Sequence, residues 1–260
     1  DVLVFRPTES TRSQGLVDAL EELGLKGIAW GHNVPLPLPH MDALASSPAV
    51  RRFVVVGRER LDQIRDHTLF QKSRCIFNGF DPSPYVPREK SKNSTPTVAY
   101  VGSLIPSKGF HLLAEAWPSV AQRAPEAELV VIGSGRLYDR DAELGKWEIA
   151  SEKYEQRFRP FLSDQAGNPL PSVHFKGTLG TEKIPLLQQA NVGVVNPTGA
   201  TENCPGSAIE FQAAKTPVVS IAEWGLLDTV KHEETGLLVS QPVPSLIADA
   251  IVRLLLNTNE

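Results

Sequence analysis

Residues 201–220 read Thr-Glu-Asn-Cys-Pro-Gly-Ser-Ala-Ile-Glu-Phe-Gln-Ala-Ala-Lys-Thr-Pro-Val-Val-Ser, which predicts a loop, a helix and a buried strand. The run Pro205-Gly206-Ser207 is typical of a helix start, because proline in the first helical turn removes no hydrogen bond. The run Pro217-Val218-Val219 after the helix indicates a buried strand. Glu202 precedes the helix and Glu210 lies about one turn inside it, so a carboxylate stands on each side of the helix start.

A helix that begins near Pro205 presents backbone N–H groups and the positive end of its dipole to whatever lies in front of it. Such a terminus binds anions, and Gly206 lets a ligand approach the backbone closely. Ionised carboxylates only accept hydrogen bonds, which suits pairs of sugar hydroxyls. The stretch therefore favours a ligand with a phosphate in its middle and hydroxyls at both ends, as in a nucleotide sugar.

The sequence on either side of this stretch alternates strands with helices. Predicted strands lie at 97–101, 128–132, 173–175, 192–195, 217–220 and 236–239. Predicted helices lie at 107–122, 146–163, 182–190, 206–214, 226–231 and 244–256. This alternation predicts a doubly wound parallel sheet, and such sheets bind their ligands at the carboxyl ends of the strands.

The first 85 residues show the same alternation on a smaller scale. Predicted strands lie at 2–5, 28–30, 53–56 and 75–77, and predicted helices at 11–23, 40–47 and 58–67. Residues 86–96, rich in Pro, Ser and Lys, are predicted to be a linker between domains at 1–85 and 97–260. Because the chain starts on a predicted strand and Met41 is its one methionine, we expect the sequence to be part of a longer protein.

Composition excludes several classes of protein. The net charge of −4 and the lack of long charge runs argue against a nucleic-acid surface. No apolar run approaches the roughly 20 residues of a membrane span. Cys75 and Cys204 lie in separate segments, so a reduced cytoplasmic setting is expected. The histidines lack metal-ligand spacing, so no metal site is predicted.

Four further motifs accompany the Glu202–Glu210 pair, in a fixed order. They are Val101-Gly102-Ser103-Leu104-Ile105-Pro106-Ser107-Lys108-Gly109, Leu129-Val130-Val131-Ile132-Gly133-Ser134-Gly135, Val173-His174-Phe175-Lys176-Gly177 and Glu234-Thr235-Gly236-Leu237-Leu238-Val239. Together the five resemble the retaining GT-B fold glycosyltransferases of the family-four type, the glycosyl transferases group 1. The resemblance covers 97–256 and, less sharply, 1–85. It implies an α/β fold with two doubly wound Rossmann-like domains. The first is present only in part, so it would need the missing remainder of that domain as a partner.

The resemblance implies that the loop after the first strand of the second domain contacts the donor diphosphate. Gly102 opens this loop, and Lys108 occupies the position whose lysine contacts the diphosphate in the family. Ser103 replaces the family's usual arginine and offers only a neutral hydrogen bond, and Arg136 is a candidate substitute. Without the resemblance, Lys108 and Arg136 are also explained as surface cations in turns.

Glycines at the next two strand ends have implied roles as well. Gly133 and Gly135 would let the backbone pass close to a ligand, and Lys176 and Gly177 would hold the nucleobase through backbone groups. Ordinary strand-to-helix turning explains the same glycines. The Gly133-x-Gly135 pair lacks the third glycine of a dinucleotide fingerprint, which counts against a nicotinamide-dependent oxidoreductase, an alternative that doubly wound sheets leave open.

The carboxylates and one histidine take their implied roles from the same family. Glu210 would bind the ribose hydroxyls of the nucleotide, and Glu202 would bind hydroxyls of the donor sugar. His32, which ends a predicted strand of the first domain, would face the donor sugar. The alternatives are two solvated glutamates and a strand-end histidine bonded to backbone.

The function implied by the resemblance is transfer of a hexose from a UDP- or GDP-linked sugar to a glycan or glycoconjugate, with retention of configuration. A donor phosphate oxygen, held by Gly206-Ser207 and Lys108, would take the acceptor proton, so neither metal nor cofactor is expected. The alternative is a nucleotide-sugar-binding module without transfer activity. The expected location is the cytoplasm, with a peripheral place at the inner membrane surface as a family-level alternative.

Overall fold

The computed structural model describes residues 2–7, 12–32, 40–86, 95–137, 141–200 and 202–256. Contacts between residues divide the chain into two compact units. The first comprises Asp1–Gly79 with Thr201–Cys204, and the second comprises Phe80–Ala200 with Pro205–Glu260. Most of the predicted linker, residues 87–94, lies outside the described residues. No helix within the described ranges is long and apolar enough to cross a membrane.

The first unit is a four-stranded parallel sheet in the order β1-β2-β3-β4. Its strands are β1 (Val2–Phe5), β2 (Lys26–Gly31), β3 (Val50–Val55) and β4 (Ser73–Cys75), and its helices are α1 (Arg12–Glu22), α2 (Met41–Ser46) and α3 (Arg58–Asp62). Leu20, Leu44, Phe53 and Leu69 form its core between the sheet and the helices. The helix predicted at 58–67 is shorter in the structure, because turns follow Asp62 and a 3₁₀ helix spans Thr68–Lys72.

The second unit is a six-stranded parallel sheet in the order β10-β9-β8-β5-β6-β7. Its strands are β5 (Thr97–Val101), β6 (Glu128–Ile132), β7 (Val173–Phe175), β8 (Val192–Val194), β9 (Val218–Ile221) and β10 (Gly236–Val239). Its helices are α4 (Phe110–Arg123), α5 (Glu152–Leu162), α6 (Lys183–Gln189), α7 (Gly206–Ala213), α8 (Gly225–Thr229) and α9 (Pro244–Leu256). Each of the six strands predicted for this domain is present.

Helices cover both faces of this second sheet. Along β5, Val98 and Tyr100 belong to one core with Trp117 and Phe158, whereas Ala99 belongs to the opposite core with Phe211. A strand with both faces buried needs apolar residues at successive positions, which explains the near-continuous apolar runs in the sequence. The chain runs from β5 outward to β6 and β7 and then returns to β8 on the other side of β5, so the strand order reverses between β5 and β8.

One predicted helix of the second unit starts later than the sequence indicates. The helix predicted at 146–163 is observed as α5, Glu152–Leu162, and the residues before it form an irregular loop. Glu155 stabilises this loop from within the helix, because its buried carboxylate accepts hydrogen bonds from the backbone N–H groups of Trp147, Ile149 and Ala150. Those N–H groups are therefore satisfied without helical bonds.

Candidate functional site

The reversal of strand order between β5 and β8 is the place where an open parallel sheet forms a crevice for ligands. The loops that leave these two strands touch each other. Thr198 donates its hydroxyl to the Ser107 carbonyl at 2.9 Å, and a Cβ on Gly109 would lie 2.7 Å from the Thr198 backbone nitrogen. The predicted residues Gly102, Ser103 and Lys108 all belong to the loop after β5, at this edge of the sheet.

The loop after β5 is held in shape by a buried tyrosine. The Tyr100 hydroxyl donates to the Lys108 carbonyl at 2.8 Å and lies 3.4 Å from the Ser103 carbonyl, so it joins both arms of the loop. Lys108 ends a short 3₁₀ helix, Pro106–Lys108, and Gly109 then turns the chain into α4 with a φ of 73°. The half-buried Lys108 side chain therefore has a fixed starting point on the rim of the crevice.

Ser103 lies where the loops after β5 and β6 meet. Its side chain is only 2% exposed, and its hydroxyl donates to the Ser134 carbonyl at 3.1 Å in the loop after β6. The proton of the hydroxyl is therefore used within the protein, although the oxygen keeps acceptor capacity.

The predicted glycines of three neighbouring strand ends lie side by side. Gly133 donates its N–H to the Gly177 carbonyl at 2.8 Å, and a Cβ on Gly133 would lie 1.8 Å from the Gly102 carbonyl oxygen. Gly133 has a φ of 151°, which L side chains rarely adopt. Gly135 donates its N–H to the Ile149 carbonyl at 2.8 Å, so the loop stabilised by Glu155 supports this edge of the sheet.

The two other predicted cations lie at the surface. Arg136 donates its Nε to the Ala142 carbonyl at 3.1 Å, which directs the guanidinium toward the segment that leads to α5. Lys176 is exposed and lines an open groove of about 450 Å³ that also borders Trp147 and Phe175. Gly177 follows it with a φ of 67° and open space around its Cα.

The start of α7 is open, as the sequence predicts. Ala208 and Ile209 donate their N–H groups to the carbonyl of the buried Pro205 at 3.1 and 3.3 Å. The N–H groups of Gly206 and Ser207 precede these bonds and have no intrahelical acceptor. Gly206 is exposed and has no atom within 4 Å of an added Cβ, so a ligand can reach this terminus.

The start of α4, in contrast, is closed by a side chain that sequence reasoning missed as a functional residue. The hydroxyl of the buried Tyr154 accepts the N–H of His111 at 3.2 Å and lies 3.0 Å from His111 Nδ1. Burial and the charge of Arg157 lower the pKa of His111 to about 4, so the imidazole is neutral and accepts the tyrosine proton. This cap leaves α7 as the better helix terminus for an anion.

Acidification should destabilise the second unit through His111. Its folded-state pKa of about 4 lies below the ordinary 6.5, so its contribution to stability is present above pH 6.5 and is lost as the pH falls toward 4. Because His111 is about half exposed, we expect its protonation to lower the free energy of unfolding by roughly 1 kcal/mol. Urea unfolding at pH 7.5 and 4.5 gives the free energy of unfolding at each pH. This free energy should differ less between the two pH values for His111→Asn, whose amide oxygen can still accept the Tyr154 hydroxyl proton. If the free energy of unfolding fell by the same amount in both proteins, groups other than His111 would cause the acid sensitivity.

Glu210 forms an ion pair that the sequence did not reveal. Its Oε1 lies 2.7 Å from the Nζ of Lys183 on α6, and each side chain is about one-fifth exposed. Burial and the charge of Glu210 raise the pKa of Tyr85 to about 12, which places this tyrosine near the carboxylate. Lys183 carries no motif signal, and only the packing of α6 beside α7 brings it to Glu210.

The remaining two predicted residues, His32 and Glu202, both belong to the first unit. His32 is exposed at the end of β2 and its ring stacks on Trp30, with centroids 5.9 Å apart. Its backbone carbonyl accepts a 2.7 Å hydrogen bond from the amide of Asn203, the residue after Glu202. Glu202 itself is half-buried. The other predicted carboxylate, Glu210, belongs to the second unit.

No three His, Cys, Asp or Glu side chains among the residues that the structure describes are grouped to hold a metal ion. Neither Cys75 nor Cys204 is part of a disulfide bond. The chemistry visible at the carboxyl edge of the second sheet is therefore that of backbone N–H groups, a lysine, and the Lys183–Glu210 pair. Such an edge is typical of domains that bind phosphorylated ligands.

Comparison with known proteins identifies the family. The model of the family described as Glycosyl transferases group 1 matches residues 95–257. The chain belongs to this family, as its motifs predicted.

Its relatives include a GDP-mannose-dependent alpha-(1-6)-phosphatidylinositol monomannoside mannosyltransferase of Mycobacterium tuberculosis (strain ATCC 25618 / H37Rv). The two are 28% identical over 188 residues, which are 68% of this chain and 44% of the relative. A D-inositol 3-phosphate glycosyltransferase of Salinispora arenicola is 32% identical over 167 residues, which are 62% of this chain and 34% of the relative. The chain thus spans less than half the length of these relatives.

Solved structures confirm the predicted fold class. Anabaena Alr3699/HepE in complex with UDP superimposes with a TM-score of 0.71 at 17% identity, covering 99% of this chain and 70% of that chain. Sucrose-phosphate synthase from Thermosynechococcus elongatus gives a TM-score of 0.70 at 21% identity, covering 98% and 64%. At these identities the likeness concerns the fold alone, which is the α/β architecture of GT-B glycosyltransferases.

Proposed function

We propose that this chain carries the nucleotide-sugar donor site of a glycosyltransferase. The observation that carries the proposal is the open start of α7 at the carboxyl edge of the family-matched sheet, with Glu210 inside the same helix. The reaction is transfer of a hexose to a glycan or glycoconjugate with retention of configuration and without a metal ion. The cytoplasm or the inner membrane surface is the proposed location.

The diphosphate of the donor binds at the carboxyl edge of β5 and β8. The N–H groups of Gly206 and Ser207, together with the α7 dipole, stabilise one phosphate, and the ammonium of Lys108 supplies a point charge. This arrangement places positive potential where the leaving nucleoside diphosphate develops negative charge. Ser103 and Arg136 are left with supporting roles, since one is buried in the loop wall and the other bonds Ala142.

The ribose binds to Glu210. Lys183 holds one carboxylate oxygen at 2.7 Å, which leaves the other oxygen to accept from a ribose hydroxyl. The nucleobase lies at Lys176 and Gly177, beside the groove that Trp147 and Phe175 border. UDP and GDP are the candidate nucleotides, because the solved neighbour HepE is a UDP complex and the mycobacterial relative is GDP-mannose-dependent.

Transfer with retention then needs no nucleophile from the protein. The bond between the anomeric carbon and the phosphate oxygen breaks, the nucleoside diphosphate leaves with the electron pair, and a phosphate oxygen takes the proton of the attacking acceptor hydroxyl. The new glycosidic bond forms on the same face of the sugar. Glu202 and His32 bind the sugar hydroxyls, so the contribution of the protein is positioning and charge stabilisation.

A binding module without transfer activity is the second candidate. One observation favours it: serine stands at position 103, where the family usually has arginine. Donor binding with donor hydrolysis but without acceptor glycosylation would identify this case.

Calorimetric titration with UDP, GDP, ADP, UDP-glucose, GDP-mannose and NAD tests the donor site. We expect one nucleoside diphosphate and its sugar to bind. Lys108→Ala should weaken this binding about 10- to 100-fold, because a charge-assisted contact to phosphate is lost. Glu210→Ala should weaken it about tenfold through the lost ribose contact.

A matched control is Lys231→Ala, which removes an exposed lysine that pairs with Glu234 on the surface. It should leave nucleotide affinity unchanged. Wild-type affinity in Lys108→Ala and Glu210→Ala would reject the donor site, as would binding of NAD in preference to the nucleoside diphosphates.

A further inference from the structure

Asn203, the residue that follows Glu202, is a buried amide that bonds to two residues of the first unit. It is only 3% exposed, and it uses both ends of its amide. Its Oδ1 accepts from Arg60 Nε at 2.5 Å, and its Nδ2 donates to the His32 carbonyl at 2.7 Å. Buried amides are costly unless both ends are bonded, so this geometry fixes the side chain in one orientation.

Arg60 is itself fixed. Its Nη1 donates at 3.0 Å to the side chain of Gln63, the residue that follows α3, and burial lowers the pKa of Arg60. The guanidinium is therefore a rigid donor that selects which way the Asn203 amide points. With Oδ1 turned toward Arg60, only the NH₂ group can face His32.

The fixed position of Asn203 also restricts the residue before it, Glu202. Consecutive Cα atoms are about 3.8 Å apart, so a residue held at 203 restricts where the backbone of residue 202 can lie. The Asn203–His32 bond acts on the backbone carbonyl of His32, and it leaves the imidazole exposed. Both predicted sugar-binding side chains, Glu202 and His32, are therefore attached to backbone that the same amide holds.

We propose that Asn203, oriented by Arg60, is a positioning residue that sets the arrangement of Glu202 and His32 for the donor sugar. The inference rests on the proposed function, because it needs these two side chains to meet a sugar. It assigns to residues 60 and 203 a role in sugar recognition that is separate from nucleotide recognition. The sugar contacts depend on the amide, whereas Lys108 and Glu210 act on the nucleotide.

The test compares UDP with UDP-glucose, or GDP with GDP-mannose if the nucleotide titration selects guanine. We expect Asn203→Ala to keep the affinity for the bare nucleoside diphosphate within about twofold and to weaken sugar-nucleotide binding about tenfold. Donor hydrolysis should fall in kcat more than in KM, because orientation is lost.

Asn203→Asp separates positioning from simple folding support. The carboxylate keeps and strengthens the Arg60 bond, so a role limited to holding Arg60 would be rescued. The variant lacks the donor to the His32 carbonyl and sets two acceptors against each other, so positioning predicts a loss of sugar binding as large as in Asn203→Ala. Arg60→Lys should show a smaller loss in the same direction, because one donor remains.

The outcomes distinguish this inference from the function on which it rests. If the wild type binds neither nucleotide, the proposed function fails. If the wild type discriminates sugar nucleotide from nucleotide but the Asn203 variants do so equally well, the positioning role is overturned. Equal weakening of UDP and UDP-glucose in a variant with wild-type melting temperature would overturn it too.

Discussion

Replacing Gly133 with alanine should remove nucleotide binding by the second unit and lower its stability by about 3 kcal/mol or more. The backbone there has a φ of 151°, and the added Cβ would lie 1.8 Å from the Gly102 carbonyl oxygen. The positions of the Cβ atom and of the Gly102 carbonyl oxygen are both set by the backbone, so no side-chain rotation relieves the clash. The loops after β5 and β6 would have to separate. This separation would displace the backbone that carries Ser103 and Lys108.

Urea unfolding and nucleotide titration measure the two effects together. Gly15→Ala is the matched control, because Gly15 lies on the surface of α1 with no atom within 4 Å of an added Cβ. That change should stabilise the protein by about 0.5–1 kcal/mol through helix propensity. A Gly133→Ala protein with wild-type affinity and stability would show that the two loops are not in close contact.

The sheet of the second unit was predictable because its signals are local. The bounds predicted for the strands at 97–101, 128–132, 173–175 and 236–239 are the observed ones. Parallel strands buried on both faces give continuous apolar runs, and glycines mark their carboxyl ends. The start of α5 was misjudged, because the apolar spacing continues through Trp147 while Glu155 stabilises a loop there instead.

Residues that act through distant partners left no such signal. Lys183 meets Glu210 only after α6 and α7 pack, and Arg60 meets Asn203 across 143 positions of sequence. The burial of Ser103 against Ser134 depends on two loops from neighbouring strands. The motifs therefore indicate which loops form the site, while the side chains that orient them come from the three-dimensional contacts.

Glu155→Ala should destabilise the second unit by about 3–5 kcal/mol, the range for losing one partner of a buried charge. The carboxylate is fully buried and accepts from the N–H groups of Trp147, Ile149 and Ala150 at 2.8–3.2 Å. It also lies 3.8 Å from a guanidinium nitrogen of Arg159. Removing it leaves three backbone donors and a cation without this acceptor, so the melting temperature should fall by roughly 10 °C.

Glu152→Ala provides the comparison, because Glu152 begins the same helix but is about half exposed. Among the described residues, it accepts one backbone N–H, that of Lys146. It should cost less than about 1 kcal/mol. Glu155→Ala should also weaken nucleotide binding at temperatures where the unit stays folded, because Ile149, next to Ala150, holds the N–H of Gly135 at the carboxyl edge of the sheet. Destabilisation without any change in nucleotide affinity would mean that this loop supports the fold but not the site.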